Sequence, residues 1–251
     1  MANARYLLTP RWILSHLLVV ALVIVMVNLG FWQLRRLDDR KAENALIEAR
    51  QDESPVDLAS VLGPGSDDSE VEALRARPVT VEGRYDDDAT VVVRNRTQDG
   101  ATGAWIATPL VLSDGGERIG VIRGFVALGS DGEPHPAPVP EGEVTVEGVV
   151  MVPRLQDRTV RKDLEPLLEA PDTLGALVRA EESDPEEPNA ASPEEDPTAA
   201  LFPLPPPDLT ERNHLSYAVQ WFIFSLIAIV GYPLVLRRVL ERRGKEIGAG
   251  T

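Results

Sequence analysis

Two long apolar runs stand near the ends of the chain. Residues 12–34 and residues 215–236 contain no Asp, Glu, Lys or Arg. With a helical rise of about 1.5 Å per residue, each run could cross a hydrocarbon layer about 30 Å thick. The pattern therefore predicts two transmembrane helices. The first run is too long for the apolar core of a signal peptide and is followed by a poor cleavage site, so we expect it to be retained.

The pattern changes twice between these runs. Residues 35–77 begin with a stretch rich in helix formers, "RRLDDRKAENALIEAR", which predicts a stalk helix continuing from the first span, followed by short helices. Residues 78–152 contain short stretches in which apolar and polar positions alternate, including "VTVEG" at 79–83 and again at 144–148. Turn sequences such as "SDGG" separate them. This alternation predicts a small antiparallel sheet or a partly closed barrel of about five strands.

Residues 153–212 carry weaker patterns. The stretch "DLEPLLEAPDTLGALVRA" predicts helical pieces. The acidic, proline-rich stretch after it has few apolar residues to bury, which predicts a flexible insertion. The predicted fold class is an α+β membrane protein, in which two transmembrane helices bracket an extracytoplasmic antiparallel β-sheet or partly closed barrel domain with short helices.

Basic residues beside the spans predict their orientation. Residues 237–251 hold five Lys or Arg residues and two Glu residues. Because short basic flanks tend to stay in the cytoplasm, we expect this tail, and with two spans also residues 1–11, on the cytoplasmic side of the plasma membrane. Four basic residues in the range 35–41 argue for the opposite orientation. The long segment between the spans favours the first orientation, since long segments translocate largely regardless of charge.

Charge and cysteine content exclude several functions. All but two of the 40 acidic residues lie between the spans, so this segment is more negative than the chain's net −15 and repels nucleic acid. The absence of cysteine excludes disulfides, thiol catalysis and covalent attachment of c-type haem. Metal chemistry would need oxygen ligands or one of three histidines, His16, His135 and His214. Motifs of a catalytic centre are lacking, and we expect the protein not to be an enzyme.

Three motifs carry a family resemblance. They are "LGFWQLRRLDDRK" leaving the first span, "TGAWIATPLVLSDGGERIGVIRGFV" in the predicted sheet, and "NHLSYAVQWF" entering the second span. In this order around a long segment, they resemble the Surfeit-locus-one family of two-span membrane proteins. The chain departs from the family pattern at Arg123-Gly124-Phe125, where relatives typically have Trp in third place. Phe keeps a large ring but loses the indole N–H donor.

The resemblance implies a function in building haem–copper cytochrome c oxidase, with a role in handling haem a. The implied partners are cytochrome c oxidase subunits, the haem a synthesis machinery and membrane lipid, and the implied cofactor is a transiently held haem a. An alternative is a permanent accessory subunit that stabilises a respiratory oxidase. A two-span sensor is disfavoured, because the short basic tail leaves no room for an output domain.

His214 is the candidate haem ligand, since the family motif carries it. It stands one residue before the second apolar run, and Tyr217 and Trp221 follow at i+3 and i+7 on a similar helix face. A neutral imidazole there could bind haem iron. The alternative for all three rings is simple anchoring at the headgroup level.

The end of the first span supplies the other candidate site residues. Trp32 and Gln33 lie at the predicted depth of His214, and we expect Gln33 to face the second helix, with Gln220 as its hydrogen-bond partner. Arg36 or its neighbour Arg35 could pair with haem propionates, although snorkelling to the interface would also explain them.

Two further positions complete the sequence predictions for the spans. Gly30 is expected to permit close approach of the helices. His16 lies about 26 Å of helix rise from Gln33, so it cannot share one haem with His214 in a monomer. A polar contact with the partner helix is the simpler expectation for His16.

Overall fold

The computed structural model describes residues 4–63, 66–113, 115–135, 138–152, 158–170, 172–187, 200–211 and 213–249. The chain divides into two compact units. The helix pair consists of Met1–Ala45 with Asp208–Thr251, and the β domain consists of Leu46–Pro207. Each unit is described by itself below.

Within the described residues, five α-helices occur: α1 (Pro10–Arg50), α2 (Leu58–Val61), α3 (Asp68–Ala73), α4 (Arg158–Leu168) and α5 (His214–Ala249). A 3₁₀ helix, Ala4–Leu8, precedes α1. The helix formers after residue 34 do prolong the first span, since α1 runs without a break to Arg50.

The β domain is built on one sheet. The described strands are β1 (Val56–Asp57), β2 (Pro78–Tyr85), β3 (Val91–Gln98), β4 (Ala101–Leu112), β5 (Arg118–Ala127), β6 (Val144–Met151) and β7 (Thr173–Asp184). Their order is β1-β2-β6-β7-β5-β4-β3, and β2 also pairs with β4. That extra pairing closes β2, β6, β7, β5 and β4 into a five-stranded barrel, so the predicted sheet or partly closed barrel is confirmed.

Closure of the barrel depends on a glycine. Gly83 lies opposite Leu112 where β2 meets β4. A Cβ atom at residue 83 would collide with the carbonyl oxygen of Val111. Only a residue without a side chain lets the two backbones approach closely enough to pair here.

The barrel interior is filled from the alternating strands. The two "VTVEG" stretches are antiparallel neighbours, with Val81 opposite Val146 and Gly83 opposite Val144. Their valines join one buried cluster with residues from the other barrel strands. Helices α2 and α3 add Leu58 and Val71 to the same cluster. The apolar phase of each strand therefore determines which side faces the core.

Helix α4 covers the outside of the barrel. Val160, Leu164 and Leu167 are buried against Val93 of β3 and Ile122 of β5. This spacing of three and four residues places the apolar side chains on one helix face. The stretch 163–180, predicted to contain helical pieces, is helical over 163–168, which belong to α4.

The prediction for the residues of strand β7 was wrong. We expected helical pieces and a flexible insertion at Thr173–Asp184, and a β domain limited to residues 78–152. Instead β7 lies between β5 and β6, antiparallel to β6 and parallel to β5. Leu174, Ala176, Val178 and Ala180 of β7 are buried in the barrel core, but Leu177 on the opposite face is also buried, beside α4, and this breaks the alternation that reveals a half-exposed strand. The sheet also departs from the antiparallel prediction in the β1–β2 pair, which is parallel.

The acidic insertion is described only at its ends. Residues 188–199, the middle of the predicted flexible insertion, lie outside the described residues. Next to them Ala200 and Leu201 are buried. Phe202 exchanges two backbone hydrogen bonds with Phe125, of 2.7 and 2.8 Å. The chain after the insertion is therefore ordered against β5, contrary to the expectation that this stretch buries too little surface.

The helix pair is suited to a membrane. Both α1 and α5 are long and apolar enough to cross one, and few residues of their apolar windows are buried. The exposed side chains include Leu14, Leu18, Leu226 and Ile227, each at least 60% accessible. Two neighbouring helices with so much exposed apolar surface would be unstable in water, whereas lipid solvates them. The protein is a membrane protein.

Candidate functional site in the helix pair

Helices α1 and α5 run antiparallel. His16 contacts Tyr232 near one end, Phe31 contacts Phe222 further along, and Gln33 contacts His214 near the other end. As residue numbers rise along α1, those of the contacting residues on α5 fall. When both helices cross one membrane, the N-terminus of α1 and the C-terminus of α5 therefore lie on the same side of it.

The packing face of α1 follows a heptad spacing. Met26, Gly30, Leu37 and Asn44 are its buried residues, separated by four, seven and seven positions. We call this row the contact seam. On α5, Ala218 and Ser225 are buried seven residues apart. Gly30 lies against Phe222 of α5, whereas Asn44 lies beyond the first residue of α5 and contacts the segment that leads into it.

His214 and Gln33 meet at one end of the pair. His214 is the first residue of α5, and its ring nitrogen Nδ1 lies 2.9 Å from Oε1 of Gln33. The amide oxygen can only accept, so Nδ1–H is the donor. A neutral imidazole protonated at Nδ1 keeps its lone pair on Nε2. Within the part of the chain that the structure describes, Nε2 makes no hydrogen bond.

The expected partner of Gln33 was wrong. Gln220 is exposed rather than turned to α1, and His214 takes its place. Because α5 begins at His214, this residue is level with Gln33, whereas Gln220 follows nearly two turns later on a different side of the helix.

The remaining predicted site residues make other contacts and differ in exposure. Trp32 is 46% exposed, and the guanidinium carbon of Arg36 lies 6.0 Å from the centre of its ring. Tyr217 is half exposed, and the ring of Trp221 lies 6.2 Å from that of Phe224. The structure therefore joins His214 to Gln33 and Arg36 to Trp32, while Tyr217 lies beside the packing face.

Phe222 was not predicted as part of this arrangement. Its ring lies on Gly30, where a Cβ atom would come within 2.7 Å of it, and meets Phe31 edge-on with 5.4 Å between ring centres. The space left by Gly30 is therefore taken by the ring of Phe222 and not by the backbone of α5, so the expected close approach of the two helices is not what the glycine provides. A glycine in a span was the available signal, but it does not identify the partner.

The opposite end of the pair has its own polar cluster. His16 Nδ1 lies 2.8 Å from the hydroxyl of Tyr232, and Nε2 lies 3.0 Å from the carbonyl oxygen of Leu7. Ser15 reaches the same Tyr232 hydroxyl at 3.0 Å. Both ring nitrogens of His16 are engaged, as expected for a polar residue satisfied by the partner helix. Binding a metal there would require breaking one of these hydrogen bonds.

The approach of the chain to His214 is held by α1. Arg40 donates to the carbonyl oxygens of Asp208 and Thr210, and the buried Asn44 donates to that of Leu209. These bonds satisfy backbone acceptors of the irregular segment that leads into α5. The contacts span more than 160 positions of sequence, so no local pattern could have revealed them.

Arg123, from the motif that departs from the family pattern, lies in the β domain. Its side chain is fully buried, with Nε 2.9 Å from Glu187 and Nη2 2.8 Å from the carbonyl oxygen of Pro138. The guanidinium lies over the ring of Tyr85 at 5.3 Å. Burial, and the negative Glu187 nearby, raise the pKa of Tyr85. Phe125 is buried beside the 200–202 segment, so this motif serves the interior of the β domain.

Metal-binding clusters were also considered. Among the described residues no group of three or more His, Asp or Glu side chains could hold an ion.

Similarity to known proteins assigns the chain to a family. The SURF1 family model matches residues 20–226. An uncharacterized SURF1-like protein of Mycobacterium tuberculosis (strain ATCC 25618 / H37Rv) is 30% identical over 259 residues, covering 98% of this chain and 91% of the relative. Surfeit locus protein 1 of Xenopus tropicalis is 28% identical over 149 residues, covering 53% of this chain and 47% of that protein.

A yeast relative carries a functional name. Cytochrome oxidase assembly protein SHY1 of Saccharomyces cerevisiae is 27% identical over 110 residues, covering 44% of this chain and 27% of its own length. The family model spans both ends of the candidate site and the whole β domain. The chain belongs to the SURF1 family.

Proposed function

We propose that this protein is an assembly factor for haem–copper cytochrome c oxidase. Membership of the SURF1 family and the name of the yeast relative support this proposal. Its partners would be oxidase subunits within the membrane and the proteins that synthesise haem a. The β domain would lie outside the cytoplasm, with both termini inside, which agrees with the antiparallel helix pair and the basic tail.

We further propose that the protein holds haem a at the His214 end of the helix pair. The observation that carries this proposal is the hydrogen bond between His214 Nδ1 and Gln33 Oε1. Iron binds an unprotonated imidazole nitrogen, and second-shell acceptors commonly fix which nitrogen that is. By accepting from Nδ1–H, Gln33 would hold His214 in the tautomer whose Nε2 can bind iron.

His214 offers one imidazole nitrogen, Nε2, which fits a haem with a single protein ligand. When bound, haem a would supply an iron, which the imidazole of His214 could hold. Trp32 and Tyr217, both about half exposed, offer apolar ring surface near this end of the helices. Arg36, which lies over Trp32, would pair with a propionate. An exposed pair of this kind contributes about 1 kcal/mol or less, so Arg36→Ala should have a milder effect than loss of His214.

Replacement of His214 tests the proposal in cells. We expect His214→Ala to leave the protein in the membrane and to lower the amount of haem-loaded oxidase. His135→Ala is the matched control, because His135 is exposed and lies in the β domain, where its ring is hydrogen-bonded to Asp131. Normal oxidase haem spectra in the His214→Ala strain would contradict the haem-binding role.

The same cells distinguish an assembly factor from a permanent subunit. An assembly factor should be released as the oxidase matures and should be substoichiometric in the purified active enzyme. Recovery of this protein at one copy per active oxidase would favour the accessory subunit instead.

A further inference from the structure

Asn28 places a polar group on the outer face of the helix pair. It lies two residues after Met26 and two before Gly30, both of which are buried in the contact seam. Two residues correspond to about 200° around a helix, so Asn28 points away from α5. It is exposed, and it lies about 9 Å of helix rise inside the end of the apolar run at residue 34.

This position is costly for an amide. The side-chain Nδ2 of Asn28 donates to the carbonyl oxygen of Ile24 at 2.8 Å, which satisfies one of its hydrogens. The second hydrogen and the side-chain oxygen would face hydrocarbon. Polar groups inside a bilayer need partners and usually mark a contact or a pathway. The neighbouring exposed residues of this face, Ile24 and Val25, are apolar.

We propose that this face of α1 binds the same face of a second copy of the protein. All copies of one chain cross the membrane in the same direction, so two α1 helices related by a twofold axis along the membrane normal are parallel. Asn28 of each copy then lies at the same depth. An amide is both donor and acceptor, so two Asn28 side chains satisfy each other reciprocally. Ala21, seven residues earlier on the same face, allows the helices to approach closely.

The absence of cysteine makes a direct test possible. Ala21→Cys places one thiol beside the proposed axis in the otherwise complete protein. Ile227→Cys is the control, since Ile227 is 61% exposed on α5. In oxidised native membranes we expect the Ala21→Cys protein to form a disulfide-linked dimer and the Ile227→Cys protein to remain monomeric.

Changes at Asn28 show whether the amide carries the contact. In the Ala21→Cys background, Asn28→Leu should lower the cross-linked fraction by roughly fivefold. Asn28→Gln keeps an amide and should restore much of it. Equal cross-linking at residues 21 and 227, or no effect of Asn28→Leu, would overturn the proposal. A cross-linked product with a mass other than twice that of the chain would overturn it too, in favour of a helix from another protein.

Discussion

Glu187→Gln should destabilise the β domain more than any other loss of a surface carboxylate. Glu187 neutralises Arg123, whose side chain is fully buried. Removing one partner of a buried ion pair typically costs about 3–5 kcal/mol, because the other charge remains in a poorly solvated site. We expect about 2–4 kcal/mol here, since Glu187 is 17% exposed and the Pro138 carbonyl oxygen still accepts from Arg123.

Removing both charges should lower the free energy of unfolding by less than the sum of the two single changes. Arg123→Met takes away the buried charge but keeps a long side chain, while Glu187 can turn towards water. The Arg123→Met/Glu187→Gln double variant should therefore resemble Arg123→Met alone. The interaction between the two changes should be on the order of 2 kcal/mol.

Hydrogen exchange of the β5 amides measures these differences in the complete protein. A loss of about 3 kcal/mol in the free energy of opening corresponds to roughly hundredfold faster exchange. The control is Glu181→Gln, because Glu181 is 50% exposed in its pair with Arg179 and should change exchange only a few-fold. Similar exchange rates in the Glu187→Gln and Glu181→Gln proteins would show that Glu187 is not needed to neutralise the buried Arg123.

Three further predictions concern single sites. Gln33→Leu removes the acceptor for His214 Nδ1–H and should weaken haem binding by about 10–100-fold. Gln33→Glu keeps an acceptor and should retain most of the haem affinity. Haem titration of the purified protein measures both variants. Gly30→Val would push a side chain into the ring of Phe222 and should cost about 1–3 kcal/mol in unfolding in mixed micelles, with Phe222→Ala as the compensating change. The pKa of Asp67 is lowered by its hydrogen bond from the hydroxyl of Ser69 and by those from the backbone amides at the start of α3. The stabilisation of α3 by this cap should therefore be complete above the ordinary carboxyl pKa and should be lost as the pH falls through the lowered pKa. Amide exchange of α3 between pH 5 and pH 3 would show this, and exchange protection that did not change with protonation of Asp67 would count against the cap.

Local patterns were sufficient for much of the fold. The absence of charge over more than 20 residues identified both spans, and short apolar or alternating stretches separated by turn sequences identified β2 to β6. Strand β7 was missed because its pairing partners, rather than its own sequence, determine it. Gly175 interrupts its apolar run, and the polar, mostly acidic residues at 181–184 give its end the appearance of a loop.

The candidate site was predicted in its depth but not in its partners. Both His214 and Gln33 could be placed at the same end of two antiparallel helices from the charge pattern alone. Their hydrogen bond, and the position of Phe222 on Gly30, depend on the rotation of each helix about its axis. That rotation is determined by packing over the whole contact seam, which no short stretch of sequence records.

The most direct test of the account is the absorption spectrum of the protein purified from cells that make haem a. We expect haem a bands in the unaltered protein, their loss in His214→Ala, and their retention in His135→Ala. Bands of equal strength in the unaltered and His214→Ala proteins would contradict it, as would their absence from all three.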